Sequence, residues 1–224
     1  MHVRSAILAL SVVAIGAPAL AAHPIPESER WATITHAGNE PYLLPPLFPG
    51  EPPRPIGGVD HEYQISRTEV TAGEWLEFVN GYAPYVDIFQ ADNSLFTSFY
   101  IRRDGPRHYE LLPGHENQPV EISWRYAARY VNWLHNNKGS DQASFEDGAY
   151  DTSTFGNLPG GFISDQVSHH PEARYWIPTQ DELVKASHWD PDRYGEGQPG
   201  YWYYSTTSDV APLPGHYTQG GETS

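Results

Sequence analysis

The sequence contains no cysteine, and this absence excludes several classes of protein. Its 224 residues offer no thiol that could form a disulfide scaffold, ligate zinc or an iron–sulfur cluster, or act as a nucleophile. Stability must therefore come from packing, or from a metal held by other side chains.

Basic residues are also scarce. The chain carries 13 Lys and Arg against 28 Asp and Glu, which gives a formal net charge of −15. A protein of this charge repels the phosphate backbone and has no basic patch for anionic lipids. We therefore expect no nucleic-acid partner.

A long apolar run is lacking as well. Residues 6–16 are apolar but fall well short of the ~20 residues that a membrane-spanning helix needs. Arg4 precedes the run, and Ala19-Leu20-Ala21 provides the small residues of a cleavage site. We expect residues 1–22 to be a signal peptide, with a periplasmic or extracellular (secreted) product and no stable membrane insertion after cleavage.

Proline dominates the segment that follows. Nine prolines lie between His23 and Gly58, and the segment shows hardly any apolar periodicity. Because proline lacks an amide donor and restricts its neighbour, neither a helix nor a central strand fits there. The sequence predicts a proline-rich arm over residues 23–58 and a domain over residues 59–224.

Three helices and two strands are predicted within the domain. Thr71 and Glu74 form a capping box, Thr179 and Glu182 form a second, and Ser123 is a candidate cap for a third helix. Asn80-Gly81 and Asn136 to Gly139 are predicted ends of the first and middle helices. Strands are predicted around Tyr63 and Ile65, which alternate with polar residues, and over 174–177. Few short strands among helices and long loops indicate an irregular α+β domain.

Five ordered blocks carry a resemblance to a known family. They are residues 63–71 (YQISRTEVT), 74–80 (EWLEFVN), 118–124 (QPVEISW), 127–134 (AARYVNWL) and 175–183 (YWIPTQDEL). Together they resemble the sulfatase-modifying-factor (formylglycine-generating enzyme) domain. The resemblance implies an irregular, loop-rich variant of the C-type-lectin fold.

The resemblance also shows what this chain lacks. Family members that oxidise a sulfatase cysteine to formylglycine bind copper through a pair of active-site cysteines, and this chain has none. The family's downstream blocks, D-M-x-G-N-V-W-E-W and R-G-G-S-W, are not found before the polar end at residues 220–224. We expect the family's C-terminal part to be missing, either because the chain is a fragment or because it is a shortened relative. Its calcium ligands lie mostly in that part, so none is assigned.

Other metal sites have little support. His108, His115 and Glu116 do not match the H-x-x-x-H-x-E pattern of the related sulfoxide synthases. The tandem pair His169-His170 forms a site only if folding brings it to His188. The acidic loop 141–151, which includes Glu146, lacks the order of an EF-hand, so solvated charge is favoured. The metal and the cofactor remain unknown.

The densest aromatic run supplies the candidate ligand-binding residues, Tyr201, Trp202, Tyr203 and Tyr204. As a strand, the run would place Trp202 and Tyr204 on one face and the other two on the opposite face. Core packing explains one face, and the other suits a glycan or a peptide because Tyr and Trp combine apolar area with a polar tip.

The sequence leaves two main functional hypotheses. A third is a purely architectural role on a cell surface, with the proline-rich arm as a spacer. The first is an extracytoplasmic binding or scaffold module without cysteine–copper chemistry. The alternative is a formylglycine-generating-type oxidase or accessory maturation enzyme whose catalytic segment lies beyond residue 224. No residue is assigned a catalytic role, so the sequence leaves the question of enzymatic activity open.

Overall fold

The computed structural model describes residues 8–9, 13–14 and 30–212. Most of the predicted signal peptide and the polar C-terminal end therefore lie outside the described residues. The chain divides into two compact units. Unit 1 comprises Met1–Thr33 and Tyr63–Ile177, and unit 2 comprises Ile34–Glu62 and Pro178–Ser224.

The described residues form short strands and five α-helices. The strands are β1 (Leu8–Ala9), β2 (Val13–Ala14), β3 (Trp31–Ile34), β4 (Tyr42–Leu44), β5 (Arg54–Ile56), β6 (Tyr63–Ser66), β7 (Ile101–Gly105), β8 (His108–Leu111), β9 (Glu121–Ile122), β10 (Tyr175–Trp176), β11 (Trp189–Asp190) and β12 (Gly200–Tyr201). The helices are α1 (Ala72–Tyr82), α2 (Ser94–Thr97), α3 (Trp124–His135), α4 (Ala143–Glu146) and α5 (Gln180–His188). This mixture is compatible with the predicted α+β class.

The largest sheet has four strands, in the order β10-β2-β6-β3. Tyr63 and Ile65 of β6 are buried while Gln64 between them is partly exposed, which confirms the predicted alternation. The remaining strands pair two by two: β1 with β9, β4 with β5, β7 with β8, and β11 with β12. Each pair is antiparallel.

The predicted helix starts are confirmed. The Thr71 hydroxyl accepts from the Glu74 amide, and the Glu74 carboxylate accepts from the Thr71 amide; Thr179 and Glu182 make the same exchange at α5. Ser123 accepts from the Tyr126 amide at the start of α3. These side chains satisfy first-turn amides that have no partner within the helix.

The end of α1 differs from the prediction. The helix does not stop at Asn80-Gly81 but continues to Tyr82. The Tyr82 ring lies nearly parallel to the Phe78 ring one turn earlier, with centroids 5.7 Å apart. This contact, together with the burial of Tyr82, offsets the weak helix propensity of the glycine.

The proline-rich segment forms more structure than an arm. It contains β3, β4 and β5, and residues 34–62 group with the C-terminal residues in unit 2. Pro55 lies in a two-stranded pair, where both strands are edges, so its missing amide is tolerated. The segment is held because Ile56 and Val59 are buried and the Gly38 amide donates to the Val59 carbonyl.

An aromatic cluster forms much of the core of unit 1. Trp75 and Phe78 of α1 are fully buried, with ring centroids 4.5 Å apart. Phe78 also contacts Tyr130 and Trp133 of α3 and Phe145 of α4. The two long helices therefore pack through their aromatic faces, the stripes that their sequences predict.

Candidate functional site

A cavity of about 290 Å³ lies in unit 2. Its aromatic walls are Tyr42, Trp189, Tyr194 and Tyr201. Its polar lining includes Asn39, Glu40 and Arg193. Strand β4, the pair β11–β12 and the loop between β11 and β12 bring these side chains together.

Tyr201 forms a fixed wall of this cavity. Its hydroxyl donates to the Gly57 carbonyl at 2.7 Å and accepts from the Asn39 amide nitrogen at 2.7 Å. Burial raises the pKa of Tyr201 to about 12, so the phenol stays neutral. Gly57 is required there: it has φ +82°, and a Cβ would lie 2.8 Å from the Tyr201 oxygen.

Arg193 lies against two aromatic rings. Its guanidinium carbon lies 4.7 Å from the Tyr194 centroid and 4.9 Å from the Trp202 centroid. One terminal nitrogen donates to both oxygens of Asp209, at 2.8 and 2.6 Å. The Tyr203 amide and Arg193 lower the pKa of Asp209, so the carboxylate is charged. The Arg193 side chain is therefore held by two aromatic rings and by one ion pair.

A glycine leaves room for Arg193 at the cavity wall. The Arg193 Nε itself is buried and has no hydrogen-bond partner among the described residues. At Gly200 a Cβ would lie 2.6 Å from the Tyr194 ring and 2.9 Å from the Arg193 side chain. Glycine at this position thus lets both side chains line the cavity.

The structure separates the four residues that the sequence predicted as a ligand surface. Strand β12 ends at Tyr201, and the chain then turns back so that the Tyr204 amide donates to the Ser208 carbonyl. The prediction of one strand with two alternating faces is therefore wrong. Tyr201 lines the cavity. Trp202 is not part of the lining; its ring contacts the Arg193 guanidinium, and its indole N–H donates to Asp190 at 3.0 Å. Tyr203, at 69% exposure, contacts Tyr204 edge to face, outside the cavity lining.

Most of the lining residues were not among the predicted ligand-binding residues. Tyr42 was counted in the proline-rich arm, and Arg193 and Tyr194 lie in a loop rich in Asp, Gly and Pro. The sequence signal that could have found them is the recurrence of aromatics on both sides of that loop, from Trp189 to Trp202. Nothing local in the sequence links Tyr42 to this region.

A larger cleft, of about 630 Å³, lies in unit 1 beside the acidic loop. The expectation of solvated charge is wrong for Glu146, which lines the cleft and is only 24% exposed. Glu146 accepts from Arg129 at 3.0 Å, from the Tyr82 hydroxyl at 2.7 Å and from the Thr152 hydroxyl. Burial raises the pKa of Glu146, but hydrogen bonds from these three groups outweigh burial and lower it.

This ion pair has a structural explanation. The Arg129 guanidinium lies within 6.0 Å of the ring centroids of Tyr82, Tyr126 and Phe155. Glu146 thus ties α4 to α1 and α3 through partners that already occupy its oxygens. The unit 2 cavity, whose lining combines aromatic rings with polar side chains, is the better candidate site.

The candidate histidines have local roles. His169 stacks on Trp176 with centroids 4.5 Å apart, and His170 Nδ1 accepts from the Glu172 amide. In unit 2, His188 Nδ1 lies 3.1 Å from the Trp202 carbonyl. Within the part of the chain that the structure describes, no group of three or more His, Asp or Glu side chains is arranged to hold a metal ion.

Comparison with known proteins identifies one family. The family model described as sulfatase-modifying factor enzyme 1-like domain matches residues 37–214, which confirms the resemblance read from the sequence. The match starts inside the proline-rich segment. No curated protein and no solved structure matches the chain. No helix among the described residues has the length and apolar character that crossing a membrane requires.

Proposed function

Because the chain belongs to the family of sulfatase-modifying factor enzyme 1-like domains, we propose that it is a secreted binding module of that family. Its ligand is a glycan or a peptide. The observation that carries this proposal is the aromatic cavity of unit 2, where Tyr42 and Tyr194 remain 40% and 64% exposed although they line a concave surface. Ligand sites combine such apolar walls with a few fixed polar groups.

The cysteine-dependent oxidase chemistry does not fit the residues of this chain. Thiolates are the soft ligands that select Cu(I), and the sequence contains no cysteine. We therefore derive no copper-dependent step. Binding, which needs only shape and hydrogen bonds, is the activity that the cavity residues support.

Two further parts of the proposal concern location and fold. The charged, apolar and small-residue regions at the N-terminus support cleavage near Ala21 and a periplasmic or extracellular product. The family membership supports the loop-rich variant C-type-lectin fold. The N-terminal sequence of the protein recovered from the host's periplasm or medium tests the first; a start at residue 1 would contradict it.

A matched pair of variants tests the binding role. Tyr194→Ala removes a ring from the cavity, whereas Tyr203→Ala removes an equally exposed ring outside it, since the two side chains are 64% and 69% exposed. The protein is screened against glycan and peptide arrays, and hits are measured by calorimetry. We expect Tyr194→Ala to weaken the hits at least tenfold and Tyr203→Ala to leave them unchanged. Equal behaviour of the two variants, or no hit in either array, would refute the proposal.

A further inference from the structure

We propose that the hairpin of residues 156–164 is a lipid-binding tip, which inserts its apolar side chains into the interface of a neutral bilayer. The hairpin belongs to unit 1, whereas the proposed binding function depends on the cavity of unit 2. Three features of the hairpin carry the inference: exposed large apolar side chains, a lack of charge along its length, and a base that is fixed to α3.

Backbone hydrogen bonds close this hairpin. The Leu158 amide donates to the Phe162 carbonyl at 2.7 Å, and Asn157 pairs with Ile163 in an antiparallel bridge. The turn between the two arms is Pro159–Gly161, and both of its glycines have positive φ, a conformation that glycine adopts readily. The apolar side chains are therefore presented on an ordered hairpin.

The large apolar side chains of the hairpin are exposed. Leu158 is 48% exposed, Phe162 71% and Ile163 58%. Because the backbone of Phe162 is extended, Phe162 and its neighbour Ile163 point to opposite faces of the hairpin. Both faces thus carry an exposed apolar side chain. A lipid interface can surround such a tip from both faces at once.

The hairpin is uncharged, although the protein is strongly acidic. Residues 152–164 contain no Asp, Glu, Lys, Arg or His, while the formal net charge of the chain is −15. Apolar side chains gain free energy when they leave water, whereas a charged side chain is costly to bury in a bilayer. Anionic lipids find no basic residue in this stretch to attract them. The composition therefore fits a zwitterionic lipid surface.

The base of the hairpin is fixed by Arg125 of α3. The Arg125 guanidinium donates to both oxygens of Asp165 at 2.8 Å and to the Gly156 carbonyl at 2.9 Å. The Asp165 side chain is only 3% exposed. The charge that directly follows the hairpin in the sequence is thus paired and buried at its base, and the exposed end of the hairpin is apolar.

The size of the apolar surface favours lipid over a protein partner. A stable protein interface takes about 20–30 residues from each side, whereas this hairpin offers three large apolar side chains, and none of them lines either cavity described above. Pro159 has no amide hydrogen and the Leu158 amide is already bonded, so few donors lose water at the tip. We expect shallow, reversible binding, unlike the insertion of a membrane-spanning helix.

Two double substitutions of the same composition test the tip. Phe162→Ser combined with Ile163→Ser removes most of its exposed apolar surface. Ile88→Ser combined with Phe89→Ser is the control, since those side chains are 73% and 88% exposed. The control pair follows Asp87, whose carboxylate accepts from the Phe89 amide, so it lies beside a charge. The loss of one exposed Phe and one exposed Ile is common to both variants.

The experiment is flotation of the full chain with phosphatidylcholine vesicles. We expect the hairpin variant to lower the partition coefficient about tenfold or more and the control variant to stay within about twofold of the wild type. The apolar run at residues 6–16 is the same in every variant, so it cannot cause a difference between them. Adding phosphatidylglycerol should weaken binding, because the protein is acidic. Thermal unfolding checks that each variant is folded.

A fluorescent label gives a second measurement that keeps Phe162 and Ile163 in place. Because the chain has no cysteine, Leu158→Cys or Phe89→Cys provides a single site for a nitrobenzoxadiazole label. On addition of phosphatidylcholine vesicles, emission from the label at position 158 should shift to shorter wavelength and become stronger. Emission from the label at position 89 should not change.

The outcomes are decisive for the hairpin. Unchanged flotation of the folded hairpin variant, or an equal loss in both double variants, would overturn the proposal. Absence of flotation of the wild type, with no shift from the label at position 158, would overturn it too. Self-association that the hairpin variant loses, without any lipid binding, would assign the tip to a protein contact instead. None of these results bears on the unit 2 cavity, whose binding role is tested by Tyr194→Ala.

Discussion

The two units use aromatic side chains in opposite ways. In unit 1, Trp75 and Phe78 have no exposed surface, and their rings pack against others from α3 and α4. In unit 2, Tyr42 and Tyr194 line a cavity and keep 40% and 64% of their surface exposed. Burial of a large ring is a main source of stability, whereas an exposed ring contributes little to folding. The rings of unit 1 therefore hold the fold, whereas Tyr42 and Tyr194 of unit 2 contribute little to it.

Polar groups show the same contrast. Glu146 of unit 1 receives hydrogen bonds from Arg129, Tyr82 and Thr152. Arg193 of unit 2 keeps a buried Nε without a partner among the described residues. A fully satisfied network stabilises its surroundings, whereas a buried donor without a partner costs free energy.

The largest expected effect is on the core of unit 1. Phe78→Ala should lower the free energy of unfolding by about 3–5 kcal/mol, because it removes a fully buried ring and leaves a cavity. Tyr194→Ala should change it by less than about 0.5 kcal/mol, as surface substitutions usually do. Urea denaturation measures both. A similar loss in the two variants would break the comparison between the units.

The Glu146 ion pair should give the next largest effect. Glu146→Gln leaves the mostly buried Arg129 without its countercharge, and we expect a loss of about 2–3 kcal/mol at neutral pH. Asp151→Asn is the control: Asp151 caps the Ser153 amide from an exposed position, where Asn caps equally well. Equal stability of the two variants would show that Glu146 is not structural.

The pH dependence of this pair has a definite sign. The pKa of Glu146 is lower in the folded protein than in the unfolded chain. Its contribution to the free energy of unfolding is therefore present above the pKa of the unfolded chain, and it is lost as the pH falls through the pKa of the folded protein. The gap between wild type and Glu146→Gln should therefore narrow in acid. A gap that stayed constant from neutral pH into strong acid would contradict the assignment.

Backbone strain at Ser98 provides a smaller test in unit 1. Ser98 has φ 67° and ψ 177°, a conformation that essentially only glycine adopts without cost, and its buried hydroxyl has no partner among the described residues. Ser98→Gly should raise the free energy of unfolding by about 1 kcal/mol. Ser98→Ala removes the hydroxyl but keeps the backbone strain, so it should raise the free energy of unfolding by less than Ser98→Gly does. A gain from Ala equal to that from Gly would assign the effect to the hydroxyl alone.

The smallest effect is expected in unit 2, at His61. Burial alone would lower the pKa of His61, but hydrogen bonds to Asp60 and Glu182 raise it above 6.5. The contribution of His61 to the free energy of unfolding is therefore complete below the pKa of the unfolded chain. It is lost as the pH rises through the pKa of the folded protein. We expect less than about 1 kcal/mol, since the side chain is 45% exposed. Stability curves of wild type and His61→Gln between pH 6 and 8 should converge at the alkaline end; parallel curves would contradict this.

The helices could be predicted because their signals are local. Thr71, Ser123 and Thr179 each cap a helix through an amide three residues away, so the sequence near each start contains the whole interaction. Five blocks also sufficed to identify the family, which the match over residues 37–214 confirms. The end of α1 could not be predicted because it also depends on the burial of Tyr82, whose ring contacts Phe145 of α4.

The candidate site could be predicted only in part. Tyr201 was singled out by the density of aromatics around it, and it does line the cavity. Tyr203 and Tyr204 were grouped with it by the same density, and the expected alternation of faces fails because the strand ends at Tyr201 and the chain turns. Tyr42 could not have been found, since its contact with Tyr201 joins residues more than a hundred positions apart in the chain.

The sequence by itself determined the helix starts, the alternation in β6, the family and the absence of thiol chemistry, because these depend on neighbouring residues or on composition. Only the tertiary structure decided which aromatics are buried in a core and which line a cavity. It also decided that Glu146 is paired and that Arg193 Nε lacks a partner among the described residues. Burial and hydrogen bonding between distant residues depend on chain packing, which local patterns do not encode.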